Sequence, residues 1–276
     1  MKATVAVLLT VFNRKDVTLK GLSTLYAAMK SVSDRYSFDI YMTNDGCTDG
    51  TPEAVKKQFP DVNIVNGDGN LYWSGGMRKA WQAAIDSQEH YDFYLWFNDD
   101  ATLYEDALEI LLSDAENIGN NSIISGAFRD RNGNVSYGGK DKEGLLIDAS
   151  EHNSDIYFMN GNLVIIPAIV FNRLGVIDPI YSHGLGDWDY GLRAKKAGFR
   201  VAISSKFVGV TDRHDNDINP FWSSKYPMTK RLNMLRSPKY SIFEEFHFNK
   251  RHLGFLFAVR KAMAKLLFSV FPSLCK

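Results

Sequence analysis

Apolar residues recur with two different periods along the first hundred positions. Val5–Leu9 is an unbroken apolar run of strand length, the pattern of a strand covered on both faces. Leu22, Leu25, Tyr26 and Met29 then follow at helical spacing, with Asp16 as the expected cap. Phe38–Met42 predicts a second strand, and Pro52 fits the first turn of a short helix through Phe59. Val62–Val65 predicts a third strand. Met77, Ala80, Trp81, Ala84 and Ile85 form another helical stripe before a fourth apolar strand at Phe93–Phe97. Strand and helix in strict alternation imply an α/β protein with a doubly wound, parallel sheet.

The pattern loosens after residue 100. Ala107, Leu108, Leu111 and Leu112 predict a further helix. Asp130–Gly139 is rich in Gly and Asn and reads as a hairpin or loop. Leu163–Ile166 predicts a strand ending at Pro167. Residues 187–197 predict a helix with Gly198 as its C-cap, and Arg200–Ile203 a last strand. Beyond Asp217 the chain turns aromatic and basic, which places a boundary there: a body of 1–217 and a tail of 218–276.

Composition narrows the class. With 276 residues, 45% hydrophobic and 23% charged, the chain can build a sizeable core. Two cysteines, Cys47 and Cys275, exclude a disulfide scaffold and a multi-cysteine metal site and fit a reducing, cytoplasmic setting. Lys2 followed by Ala3–Phe12 resembles the core of a signal peptide. It lacks a small-residue cleavage site and runs straight into Asn-Arg-Lys-Asp, so it is read as a buried first strand. No apolar stretch reaches the roughly 18 residues of a membrane span.

The net charge is zero but unevenly spread. From Ile218 onward eleven Lys and Arg stand against two acids, Glu244 and Glu245, so the tail carries +9 and the rest −9. Leu253, Leu256, Phe257, Met263, Leu267 and Val270 alternate there with Lys250, Arg251, Lys261 and Lys265. This is the pattern of an amphipathic helix that lies in a membrane interface, or packs on the body or on a second subunit of a homodimer.

Phosphate-binding Gly-rich loops, the G-x-S-x-G elbow and H-E-x-x-H are all absent. Instead, four polar clusters stand out, three of them directly after a predicted strand: Thr10-Val11-Phe12-Asn13-Arg14, Thr43–Thr51, Asn98-Asp99-Asp100, and Gly184–Tyr190 at the start of a helix. In an open α/β sheet the carboxyl ends of the strands line the ligand crevice. One such cluster is ordinary turn chemistry; four in this order are not.

Their order and wording resemble glycosyltransferase family 2, the nucleotide-sugar-dependent enzymes, over residues 3–215. Asn44-Asp45-Gly46-Cys47-Thr48-Asp49-Gly50-Thr51 is similar to the family's D-D-G-S-T-D-G-T, and Asn98-Asp99-Asp100 to its D-x-D. Asp187-Trp188-Asp189 with Arg193 is similar to the end of its E-D-x-D-L-x-x-R. Gly69–Gly76 looks most like the rhamnosyltransferase-type branch that builds bacterial surface polysaccharides.

The resemblance implies a GT-A fold, Rossmann-like, with a mixed, mostly parallel sheet and a helical C-terminal appendage. Residues 1–100 would hold the nucleotide and 101–217 the acceptor. It implies a UDP- or dTDP-sugar donor, a saccharide acceptor (free or lipid-linked), Mn²⁺ or Mg²⁺, inversion at the anomeric carbon, and no nucleic-acid partner. Thr10, Phe12, Asn13 and Arg14 would contact the nucleotide with Asn98 and Asp99, and Asp45 would accept the N3–H of uracil or thymine. Trp73, Gly75 and Gly76 would shape the donor-sugar pocket. Trp188 and Asp189 would meet the acceptor, Asp100 and His214 would ligate the metal, and Asp187 would be the general base.

Two departures stand out, Asn98 in place of the first D-x-D acid and Gly186 in place of the Glu before Asp187. They leave room for an impaired, binding-only homologue. A sugar-nucleotide pyrophosphorylase shares the architecture, but Thr10–Arg14 lacks its Gly-rich, basic first loop.

Overall fold

The side chains of β1 (Ala3–Val11) alternate between two separate cores. Val5, Val7, Leu9 and Val11 join one apolar cluster, while Ala6 and Leu8 join another on the opposite face. That is why the strand reads as continuously apolar: both of its faces are covered. The structure, a computed structural model, describes residues 2–149, 152–212 and 222–274.

On the first face lie α1 (Lys15–Ser31), α2 (Thr51–Gln58) and α4 (Ala107–Asn117), through Leu22, Leu25, Val55, Leu108 and Leu111. On the second lie α3 (Tyr72–Asp86), α5 (Ala168–Leu174) and α6 (Gly186–Lys196), through Met77, Trp81, Val170 and Tyr190. Trp81 and Trp96 are fully buried and meet edge to face at 5.8 Å in the middle of this second core.

The main sheet contains β2 (Tyr36–Asn44), β3 (Asn63–Asn66), β4 (Phe93–Phe97), β5 (Thr102–Leu103), β6 (Ser122–Arg129), β7 (Val135–Tyr137), β11 (Leu163–Pro167) and β12 (Arg200–Val210) besides β1. Its order is β3-β2-β1-β4-β11-β6-β12-β5, with β7 folded back on β6. The first four strands are parallel, as the alternation predicts. β11 then runs antiparallel to both β4 and β6, and β12 returns parallel to β6. The sheet is therefore mixed, mostly parallel. β8 (Gly139–Lys140), β9 (Leu146–Ile147) and β10 (Phe158–Met159) form a small separate sheet.

Several boundaries differ from the sequence reading. Asp16 is not the cap of α1; Arg14 occupies that position, and the Asp49 carboxylate accepts the Lys15 N–H at 2.9 Å from a neighbouring loop. β12 runs seven residues past Ile203, to Val210. The amphipathic tail is split by Gly254, at φ +95°, into α8 (Ile242–Leu253) and α9 (Phe255–Val270), preceded by α7 (Met228–Met234). Glycine at the break avoids the left-handed penalty that any side chain would meet.

Candidate active site

Because β11 is antiparallel, the turn before it reaches the same sheet edge as the loops after β1, β2, β4 and β12. These segments surround a cavity of about 560 Å³. Thr10, Phe12 and Arg14 line it after β1, Asp45 after β2, Asn98 and Asp100 after β4, and Thr211 after β12. Trp73 and Tyr72 enter from α3, Asn160, Gly161 and Asn162 from the turn before β11, and His183, Gly184 and Asp187 from the far side.

Asp45 organises one wall. Its carboxylate, 4% exposed, accepts the backbone N–H groups of Gly69 at 2.9 Å, Leu71 at 3.0 Å and Tyr72 at 3.0 Å. The 67–72 loop is thus folded around one charge, and a Cβ at Gly67 would sit 2.5 Å from Asp45 Oδ1. A carboxylate offers about four lone-pair positions, so any base contact by Asp45 shares it with these three donors.

The third cluster divides in three directions. The Asp99 side chain is buried, paired with Arg14 and accepting the Thr18 hydroxyl at 2.5 Å, away from the cavity. Burial pushes it up to about 6, against the pull of Arg14 and Thr18. Asp100 lines the cavity, 3.1 Å from Arg14 Nη1. Asn98 bridges, its Oδ1 accepting the Trp73 indole N–H at 2.7 Å and its Nδ2 donating to Asn162 Oδ1 at 2.6 Å. An indole N–H only donates, which fixes the orientation of the Asn98 amide. At the cluster's departure from an acid, residue 98 thus uses both ends of an amide, one accepting and the other donating.

Asp187 sits half-buried in the first turn of α6. Its Oδ1 accepts the Trp188 N–H at 2.8 Å, and its Oδ2 accepts the Gly161 N–H at 3.1 Å from across the cavity. Loss of hydration pushes its pKa up to about 6, against these N–H groups. A carboxylate of that acidity is ionised at neutral pH and still a competent proton acceptor. Gly161 lets the parts close up, since a Cβ there would lie 2.5 Å from the Trp73 ring. Gly186 does the same for α3: a Cβ would fall 2.5 Å from Ser74 Oγ, so the expected Glu has no space.

Several expected site residues are used elsewhere. Gly75 and Gly76 are buried inside α3; a Cβ on Gly76 would run into Thr10 of β1, so Gly76 serves helix–strand contact, while a Cβ on Gly75 would meet Leu71 of the preceding turn at 3.2 Å. Asn13 ties the first loop to the second by accepting the Thr48 N–H at 2.7 Å. Trp188 packs against Phe158 at 4.4 Å beside the small sheet. Asp189 is fully buried under Arg193, Arg251 and His252 and is unavailable to an acceptor. Cys47 Sγ accepts the Asn13 N–H at 3.2 Å, and burial pushes the thiol up, the opposite of an activated nucleophile. His214 lies outside the described residues.

Sequence reading missed the Asn160-Gly161-Asn162 turn and did not single out Tyr72, His183 or Thr211. The signal for the turn was present, two amides flanking a glycine directly before an apolar strand, but it precedes the strand instead of following it.

Among the described residues no three His, Cys, Asp or Glu side chains converge as a metal cluster. Hard divalent cations bound with nucleotides are commonly held by one or two carboxylates together with substrate phosphates. Asp100 fits that pattern.

Residues 6–177, more than half of the chain, match Glycosyl transferase family 2. Comparison with curated protein sequences gives no match. Among solved structures, the mannosyltransferase PcManGT from Pyrobaculum calidifontis, in complex with GDP-Man and Mn²⁺, superposes with TM-score 0.61 at 16% identity, over 96% of this chain and 74% of that one. S. aureus TarS superposes with TM-score 0.59 at 16% identity, over 98% of this chain and 54% of that one. Residues 1–349 of TarS in complex with UDP-GlcNAc give TM-score 0.56 at 15% identity, over 98% and 79% of the two chains. The mixed sheet, the polar loops at its carboxyl edge and the sequence match agree: the chain belongs to glycosyltransferase family 2 and has the GT-A fold.

Proposed function

We propose that the protein transfers a sugar from a UDP- or dTDP-sugar to a saccharide hydroxyl with inversion, and that Asp187 is the general base. The observation that carries this reading is the Asp187 carboxylate on the cavity wall, held by the Gly161 and Trp188 N–H groups and raised to about 6. Neighbours complexed with GDP-Man and UDP-GlcNAc support a nucleotide-sugar donor. Residues 1–217 would be the catalytic unit, with the nucleotide in 1–100 and the acceptor in 101–217.

The donor's nucleotide lies along Thr10, Phe12 and Arg14 beside the loop that Asp45 organises, and its sugar faces Trp73. The acceptor hydroxyl approaches with its proton toward Asp187. As the acceptor oxygen bonds to the anomeric carbon, the bond from that carbon to the diphosphate oxygen breaks on the opposite side. The proton passes to Asp187, and the nucleoside diphosphate leaves with the bonding pair. Attack opposite the leaving group inverts the configuration. Asp100 would hold a Mn²⁺ or Mg²⁺ ion with the diphosphate, where the ion neutralises charge on the leaving group. Arg14, which pairs with Asp100 in the free protein, is placed to follow the same phosphates.

The test is thermal stability against nucleoside diphosphates and their sugars, with and without Mn²⁺, for wild type and Asp100→Ala. A metal-dependent rise with uridine or deoxythymidine compounds, lost in the variant, is expected. No rise with any of them, or a rise unchanged in Asp100→Ala, would overturn the donor site as described.

A further inference from the structure

The C-terminal helices hide one face and display another. Their inner face is firmly seated: Ala258, Lys265 and Ser269 of α9 are buried, and Arg231 of α7 donates to the Ser269 and Val270 carbonyls at 2.7 and 3.2 Å. The outer face is apolar. Leu256 is 82% exposed and Met263 65%, and with Leu267 they form one stripe along α9 at spacings of seven and four. Leu253 and Phe255 flank the Gly254 corner next to the stripe, and Phe243 is exposed on α8. Large apolar side chains this exposed and this closely grouped mark a contact surface.

The charges say what kind. Glu244 is buried, accepting the Ser182 hydroxyl at 2.5 Å, and Glu245, whose side chain is 35% exposed, is paired with Lys265. Lys250 and Arg260 stay exposed on α8 and α9, Lys261 is exposed at the groove it lines with Gly184 and Leu185, and Lys225, Lys230 and Arg236 stay exposed on the preceding segment. Among the described residues from 222 onward, the one acid that reaches solvent is Glu245, already paired with Lys265, against this set of exposed cations. We propose that the outer face of α8 and α9 docks in the plane of an anionic lipid surface.

An apolar stripe bordered by cations is the signature of a helix lying at the headgroup boundary. None of the described helices is long and apolar enough to cross a membrane, which agrees with a helix that lies flat. A second copy of the chain suits the surface less well. In a two-fold contact the patch meets itself, and the exposed cations would face one another with no acid to pair them. The inference goes beyond the proposed reaction and stands independently of it. It adds that α8, whose inner face holds the Asp187-bearing segment, connects that segment to the lipid surface.

The experiment is flotation of the full chain with vesicles of phosphatidylcholine alone and with about one-third phosphatidylglycerol, at low and high salt. Wild type is expected to float with the anionic vesicles and to be released by salt. The pair Leu256→Glu and Met263→Glu, at positions already in water, is expected to lower the bound fraction at least tenfold with unfolding temperature unchanged. Arg260→Gln is expected to weaken binding about fivefold, the equivalent of one cation near an anionic surface. Absence of flotation, flotation that persists in the double variant, or equal flotation with neutral vesicles would overturn the proposal. So would a homodimer in light scattering that the double variant converts to monomer.

Discussion

Arg251 on α8 lies sixty-four residues from Asp187 in sequence, yet the structure makes it a support of the site. Its Nη1 reaches both carboxylate oxygens of Asp189 at 2.9 and 3.0 Å, and its Nη2 reaches Asp178 Oδ2 at 2.6 Å. Asp189 stands two residues after Asp187 in the same helical turn. At the other end of α8, Glu244 accepts the Ser182 N–H at 3.2 Å. The 178–189 segment is therefore held by the tail on both sides of the base.

The perturbation is Arg251→Met, which keeps the aliphatic stem and removes the guanidinium. Breaking a buried pair costs about 3–5 kcal/mol. Asp189 retains Arg193 and His252 at 2.8 Å each, and the Arg251 side chain is 28% exposed, so about 2 kcal/mol is expected here. For a chain of this size that lowers the unfolding temperature by about 4–8 °C.

The pH dependence has a definite sign. Burial alone would raise Asp189, but His252, Arg193 and Arg251 hold it at about 2. Its contribution to stability is thus present above its ordinary value near 4 and disappears as pH falls toward 2. The gap between wild type and variant should be full at pH 7 and shrink below pH 4. Misplacement of a reacting group by about 1 Å costs up to ~100-fold in rate. Slow hydrolysis of the donor, followed as released nucleoside diphosphate, should therefore fall ~10–100-fold with the donor KM unchanged, because the Arg251 bonds run to Asp178 and Asp189 beside the base. Arg260→Met, an exposed site without these partners, is the control. An unchanged unfolding temperature, a stability loss that grows toward low pH, or a KM increase in place of the kcat loss would refute the argument.

Other expectations follow from single contacts. Gly186→Glu, which restores the acid usual in the family, should destabilise by about 1–3 kcal/mol, because Ser74 and Ile177 already fill the space, and calorimetry would measure it. Asp187→Asn should remove turnover while leaving the thermal shift by nucleotide intact. In the wild type, kcat/KM should climb as pH rises through about 6 and then level, since only the ionised carboxylate accepts a proton. Gly161→Ala should displace the Trp73 ring and weaken donor-sugar binding more than binding of the bare nucleoside diphosphate, as read by paired titrations.

What the sequence revealed and what it concealed divide along one physical line. Contacts made by the direction and period of the chain were legible: the parallel strands, the helices between them, and the polar loops at their carboxyl ends. Contacts that depend on a partner far along the chain were not. Asp189 looks identical to a site acid until Arg251 and His252, more than sixty residues later, are found covering it. Gly76 looks like room left for a sugar until Thr10 is found pressed against α3. The Asn160-Gly161-Asn162 turn carries no such positional signal because polar ligand loops normally follow the strands, a rule that inverts at the antiparallel β11. That one reversal also bears on the departure at 98. By bringing Asn162 beside β4, it gives the first position of the third cluster two neighbours, an indole that must donate and a side-chain amide that here presents its oxygen. A carboxylate at 98 would require the Asn162 amide to turn and present its NH2 instead. Asparagine at 98 thus joins Trp73 to Asn162 as they stand, one end accepting and the other donating, while Asp100 faces the cavity.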